Sequence, residues 1–219
     1  FVQLTLSLIL ALAITHPKVR KQEKFYRTVF FLPAIVSTVI LAELWKKIYH
    51  PSYGLLNSFL ALIGLGSWQR EWLGDTNTAL MAVFIPIVWQ YIGNHMLRMY
   101  SAITGVPDDL LEAASLDGAS YLQRCIWVTI PMIKDMIIVC VTFAIVGSLK
   151  VFDLVYVMTG GGPNHVSEVP ATLMYSNLFR KSLYGYGSAQ AFFIVIECVI
   201  LSMVIGKMFK RAEENAAAI

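Results

Sequence analysis

Ser188–Met208 reads SAQAFFIVIECVILSMVIGKM, with Glu197 and Lys207 its only charged residues. A helix rises about 1.5 Å per residue, so a run of this length crosses the ~30 Å hydrocarbon layer of a bilayer. Working back along the chain, Pro131–Met158, Thr78–Ser101 and Phe25–Tyr49 are comparably long and apolar. Phe1–Thr15 is a shorter run of the same character. The pattern predicts an all-α membrane protein, a polytopic helical bundle with about five spans in 1–219. Leu55–Leu65 is apolar but too short to cross, and is expected to lie in the interface outside. Because the chain opens at Phe1 within an apolar run, we expect a truncated first span.

Composition argues the same way. The 219 residues are 57% hydrophobic and 14% charged, with mean hydropathy +0.64. Soluble domains carry about 25% charged residues, and a single core of ~200 residues still leaves a quarter or more of its surface wet. An ordinary soluble enzyme and a disordered tail are excluded. The net charge of +3, without a basic stripe, excludes a nucleic-acid binder. Cys125, Cys140 and Cys198 show no CxxC spacing and read as small hydrophobes rather than disulfide or zinc ligands.

Orientation follows from lysine and arginine, which favour cytoplasmic loops. Eleven of them fall on alternate loops: Lys18, Arg20, Lys21, Lys24 and Arg27; Arg98, Arg124 and Lys134; and Lys207, Lys210 and Arg211. The other side holds six: Lys46, Lys47, Arg70, Lys150, Arg180 and Lys181. The eleven are read as cytoplasmic. Trp45, Tyr49, Trp68 and Trp72 then form an outer aromatic belt.

Catalytic motifs are missing. Gly160-Gly161-Gly162-Pro163 lacks the spacing of a phosphate-binding loop, and no HExxH or GxSxG occurs. The four histidines are too scattered for a metal site. No cofactor and no catalytic residue is expected, so uphill transport would draw on an ion gradient or another subunit. Polar residues within the spans are the pathway candidates. Glu197, near the centre of its span, costs about 2.5 kcal/mol or more unless paired, hydrated or neutralised. It reads equally as pathway wall or as an interhelical contact with Gln90 as partner. Gln90 and Asn94 share a helix face, with Tyr91 and His95 beside it, and such a face lines a cavity or joins helices. Lys150 and Asp153, three apart, can pair along one helix face, and Lys150 near the outer interface can also snorkel.

The most informative loop is residues 105–131. Val106-Pro107-Asp108-Asp109-Leu110-Leu111-Glu112-Ala113-Ala114-Ser115-Leu116-Asp117-Gly118-Ala119 predicts a short helix. Pro107 suits its first position, Asp108 and Asp109 its positive end, and Gly118 a left-handed stop. At 100° per residue, Leu110, Ala113, Ala114 and Asp117 share one side, with Glu112 and Leu116 on the other. Physics alone leaves both a connecting helix and a docking helix open.

Glu112-Ala113-Ala114, Gly118 after three residues, and Val128-Thr129-Ile130-Pro131 after nine more resemble the EAA loop of bacterial ABC importer membrane subunits. Val128 and Ile130 stand for the usual Ile and Leu. Cys125 stands where the carbohydrate branch usually has Phe, and Asp135 where it often has Pro. Phe25-Tyr26-Arg27-Thr28-Val29-Phe30-Phe31-Leu32-Pro33 is similar to that branch's FxRTxFFLP opening. Phe152-Asp153, Thr159-Gly160-Gly161-Gly162-Pro163 and Gly185-Tyr186-Gly187-Ser188-Ala189 resemble its outer-loop pattern.

The resemblance, to carbohydrate-uptake permeases of the maltose and glycerol-phosphate type, covers essentially the whole chain. It implies about six spans in an intact protein and a place in the cytoplasmic membrane of a bacterium or archaeon. It implies a second, unlike permease subunit, cytoplasmic ATPase subunits and an external solute-binding protein, with a carbohydrate as cargo. Glu112, Ala113, Ala114, Asp117, Gly118 and Ala119 would then couple the permease to its ATPase. The other readings are an ABC permease for a different solute and an ion-coupled secondary transporter using Glu197, Lys150 and Asp153. The latter should carry inverted repeats and broken midplane helices, which the sequence does not suggest.

Overall fold

The computed structural model describes residues 1–217, and the side chains of residues 1–209. Lys210 and Arg211, counted above among the cytoplasmic cations, have side chains outside the described set. Helices α1 (Val2–Thr15), α2 (Glu23–Ile35), α3 (Thr38–Ile48), α4 (Leu55–Leu62), α5 (Ala79–Ile103), α6 (Asp108–Leu116) and α7 (Tyr121–Arg124) come first. Helical segments Lys134–Leu149, Asp153–Met158, Pro170–Tyr175 and Tyr184–Ala217 follow. Among the described residues there is no strand.

All five apolar runs are helical. Three stretches are long and apolar enough to cross a membrane: Ala79–Ile103, Lys134–Met158 and Tyr184–Phe209. A fourth arises if Val2–Thr15 and Arg20–Ile35, bent by 105°, count as one. The Phe25–Tyr49 run, expected to be continuous, is interrupted at Val36–Ser37, between α2 and α3. Pro33 removes a backbone donor near the end of α2, and Ser37 turns extended at ψ 131° before α3. Lys150 and Asp153 do not share a helix face either. Lys150 lies past the end of Lys134–Leu149, and Phe152 breaks the helix at φ −138° before Asp153 starts the next one.

The chain divides into two compact units. One comprises Phe1–Ile35, Trp89–Ile145 and the chain from Ser202. Its core gathers Ala11, Ile14, Met96, Met99, Tyr100, Ile103, Val106, Ile133 and Cys140. Ser7, fully buried on α1, donates to the Ile92 carbonyl of α5 at 2.9 Å, an interhelical bond of the kind that joins membrane helices. Gly93 lets α2 come against α5, since a Cβ there would run into the Phe30 carbonyl.

The other unit comprises Val36–Val88 and Val146–Leu201. α3 packs on Asp153–Met158 around Leu41, Ala42, Tyr49, Leu154, Val155 and Met158, with Ala82 and Val83 from α5. Asn57, only 4% exposed although it sits on the apolar α4, organises the following loop. Its amide donates to the Arg70 carbonyl at 2.9 Å, and its Oδ1 accepts from the Trp72 indole at 2.7 Å.

Two of the three long apolar stretches are poorly covered. Only 11% of the most apolar part of Lys134–Met158, and the same share of Tyr184–Phe209, is buried within the chain, against 50% for Ala79–Ile103. Phe192 and Phe193 are more than 60% exposed. Such surfaces call for lipid or another subunit as solvent.

Candidate coupling site

The loop 105–131 is built from the end of α5. Val106 is buried in the first unit's core, so the chain leaves α5 held at a fixed point. Pro107, expected inside the first turn of α6, is instead the residue before it, with φ −57° and ψ 131°. Its missing N–H loses nothing in that position, and Asp108 and Asp109 occupy the first turn, where the helix dipole favours anions.

The far end of α6 closes as the sequence suggests. Gly118 has φ +82°. Its N–H donates to the Ser115 carbonyl at 3.1 Å, and the Ala119 N–H reaches back to the Ala114 carbonyl at 3.0 Å. This pair of bonds is a Schellman motif, which satisfies carbonyls that the helix end would otherwise orphan. The chain then starts again at once. Ser120 caps α7 reciprocally with Gln123: the Gln123 N–H donates to Ser120 Oγ, and the Ser120 N–H donates to Gln123 Oε1 at 2.8 Å.

Tyr121 ties the loop to α1. Its hydroxyl donates to the Leu12 carbonyl at 2.6 Å, lies 3.3 Å from Thr15 Oγ1, and its ring meets His16 edge-on. Burial pushes this phenol up to about 12. Beyond it, a wider π turn over Cys125–Thr129 precedes Pro131, with the Ile130 N–H bonding five residues back to Cys125. Pro131 cannot donate, and its ring would crowd the carbonyl four residues earlier. The π turn accommodates it.

The faces of α6 differ from the expectation. Leu111 packs against the core, and Ala114 is half-buried, so the inward stripe is Leu111–Ala114. Asp109, Glu112, Ala113 and Leu116 all face outward, with Leu116 89% exposed. Asp117 and Gly118 are exposed and Ala119 is half-buried. The spacing of 109, 112, 113 and 116 makes one ridge, three or four residues apart, that mixes carboxylates with apolar side chains. The sequence reading put Glu112 and Leu116 on one side but missed that Ala113 joins them. Leu111 decides the rotation by reaching the core, and with Leu110 beside it the sequence carries no signal for which leucine does so.

The pathway candidates lie elsewhere. Gln90 is 3% exposed on α5, Asn94 is half-buried one turn on, and His95 is 5% exposed. Those three belong to the first unit, whereas Glu197 is in the second, half-buried there. The second unit also has a cavity of about 590 Å³, lined in part by Tyr186, Gln190 and Phe193, with His165 paired to Glu168 at 2.8 Å. Of these five, Tyr186 lies in the Gly185–Ala189 outer-loop pattern read from the sequence, and none is among the site residues expected from it.

The family model described as "Binding-protein-dependent transport system inner membrane component" matches residues 3–214. The chain belongs to this family. This permease is thus the membrane subunit of a binding-protein-dependent ABC importer, a multi-pass inner-membrane component. A probable ABC transporter permease of Bacillus subtilis is 42% identical over 95% of this chain and 71% of its own length. A trehalose/maltose transport system permease of Thermococcus litoralis is 33% identical over 96% of this chain and 72% of its own. A chain from the crystal structure of a bacterial ABC transporter involved in the import of the acidic polysaccharide alginate superposes with a TM-score of 0.86 at 24% identity, covering 94% of this chain and 72% of that one. That likeness establishes the type I importer permease fold.

Proposed function

We propose that this permease imports a carbohydrate, and that α6 is where ATP hydrolysis on a partner subunit is transmitted to it. The carrying observation is the outward ridge Asp109–Glu112–Ala113–Leu116 on a helix fixed at both ends. Val106 is buried before it, and the Schellman turn and Tyr121 follow it. A helix meant only to connect has no need to expose a leucine to water while its ends are held rigid. A helix that carries force needs both an outward contact and stiff ends.

In this reading, Leu116 and Ala113 enter a groove on the ATPase, and Glu112 accepts a charge-assisted hydrogen bond from a basic residue there, worth about 1.5–3 kcal/mol. Ala114, Asp117, Gly118 and Ala119 fix the angle at which the helix leaves that groove. Closure of two ATPases on ATP would move this subunit, together with a second, unlike permease, from inward-facing to outward-facing. An external binding protein would then release its sugar into the open side. Gln90, Asn94 and Glu197 are the proposed pathway residues. The carbohydrate assignment is supported by relatives such as the trehalose/maltose permease. The permease itself performs no covalent chemistry in this scheme.

The test is Glu112→Lys in the assembled transporter. It should insert at the wild-type level yet co-purify with less ATPase, or hydrolyse ATP without uptake. Normal assembly with normal uptake would reduce α6 to a connector.

A further inference from the structure

The first unit holds a cavity of about 510 Å³ lined by Arg20, Glu23, Arg27, Leu97, Tyr100, Ser101 and Thr104. Its charges have a specific layout. The Arg27 guanidinium stacks over the Tyr100 ring, 4.5 Å from the centroid. The Tyr100 hydroxyl donates to Glu23 Oε2 at 2.9 Å. Tyr100 therefore holds a cation on its face and an anion at its tip, a fixed distance apart. Among the described residues neither Arg20 nor Arg27 is in an ion pair with a carboxylate, although Glu23 lines the same cavity.

We propose that this cavity binds a lipid headgroup that carries both a phosphate and a primary ammonium, of the phosphoethanolamine kind. Arg20 and Arg27 supply the planar donors that match a phosphate diester. The remaining oxygen of Glu23, with the hydroxyls of Ser101 and Thr104, accepts from the ammonium. A purely anionic headgroup would meet the Glu23 carboxylate unfavourably. A trimethylated ammonium has no N–H to give it.

The lipid origin rests on the surroundings. Lys18, Lys21 and Lys24 flank the arginines in a segment expected at the cytoplasmic leaflet. Phe25, Val29 and Leu32, at 65%, 46% and 58% exposure, give α2 an apolar outer surface beside the same arginines. Acyl chains lie along such a surface when the headgroup is held next to it. The cavity wall ends at Thr104, two residues before the buried Val106 that anchors α6, so an occupant would brace the start of that loop.

The experiment is native mass spectrometry of the assembled transporter, stripped of lipid and offered phosphatidylethanolamine, phosphatidylglycerol or phosphatidylcholine of identical acyl chains. Phosphatidylethanolamine should be retained about tenfold better than phosphatidylcholine, as expected for charge-assisted bonds gained or lost. Arg20→Gln and Arg27→Gln should each lower retention of all three lipids. Glu23→Gln should abolish only the preference for phosphatidylethanolamine, and Lys46→Gln, on the other side, should change nothing. Arg20 is exposed, so its variant tests the site even if Arg27→Gln unfolds. Equal retention of the three lipids by the wild type would overturn the proposal. So would unchanged retention in Arg20→Gln, or full displacement by soluble phosphoethanolamine, which would make the ligand a solute.

Discussion

Substitution at Gly118 separates backbone geometry from side-chain contact. At φ +82° a residue with a Cβ pays about 1–2 kcal/mol for the left-handed region. Stiffening of the unfolded chain returns less than this where φ is positive. A Cβ at Gly118 would meet nothing within 4 Å, so no steric term adds to the strain within this chain. A penalty of 1–2 kcal/mol lowers the population of the closed turn by a factor of about 5–30. The order of tolerance should follow backbone preference: Gly, then Asn, which visits this region more readily, then Ala, then β-branched Val. Amide hydrogen exchange at positions 118 and 119, whose N–H groups close the Schellman turn, should accelerate in that order. The ratio of solute imported to ATP hydrolysed should fall in parallel. Gly118→Asp should abolish uptake outright, since it adds a charge beside Asp117. The refuting result is a loss that tracks side-chain volume, with Asn worse than Ala. That would place the constraint in contact with a docked partner instead of in the turn.

Gly93→Ala should lower the melting temperature in detergent and the yield of inserted protein, because its Cβ would strike backbone at Phe30 and lie 2.8 Å from the Phe31 Cα; overpacking of this kind costs about 1–3 kcal/mol. Gly206→Ala, with nothing within 4 Å of the added carbon, should be neutral in the same assay. Tyr121→Phe removes the bond to Leu12 and should cost about 1 kcal/mol. Since burial raises this phenol from an unfolded value near 10 to about 12, its contribution should be intact below pH ~10 and disappear as the pH climbs towards 12. Melting curves of the variant should lack that alkaline step. In a background without native cysteines, single cysteines at Gln22 and Gly105 should react only from the cytoplasm, and those at Gly66 and Asn164 only from outside. Outside labelling at Gly105 would reverse the topology and remove α6 from the ATPase side.

What could be read from the sequence was whatever depends on local chemistry or on the solvent. The apolar runs are helical because lipid leaves backbone groups no other partner, and that requirement is written in composition alone. Gly118 was legible because a left-handed helix stop needs glycine wherever the rest of the chain goes. The rotation of α6 was not legible, since Ala113 and Ala114 are alike as residues and only the position of the core, reached by Leu111, decides which one faces out. The break at Val36–Ser37 was hidden for a related reason. Pro33 is tolerated inside many membrane helices, so its presence does not say whether the helix bends or ends; packing on each side decides that. Asn57 marks the limit most clearly. On an apolar helix it looks like an incidental polar residue, yet it bonds to Arg70 and Trp72, thirteen and fifteen residues ahead. No periodicity encodes a partner at that distance. The same holds for the cavity at Tyr100, whose cation and anion come from residues more than seventy positions earlier. Long-range polar pairing is thus what was least visible beforehand, and substitutions at Glu23, Arg27 and Asn57 carry more information than further substitutions within the apolar spans.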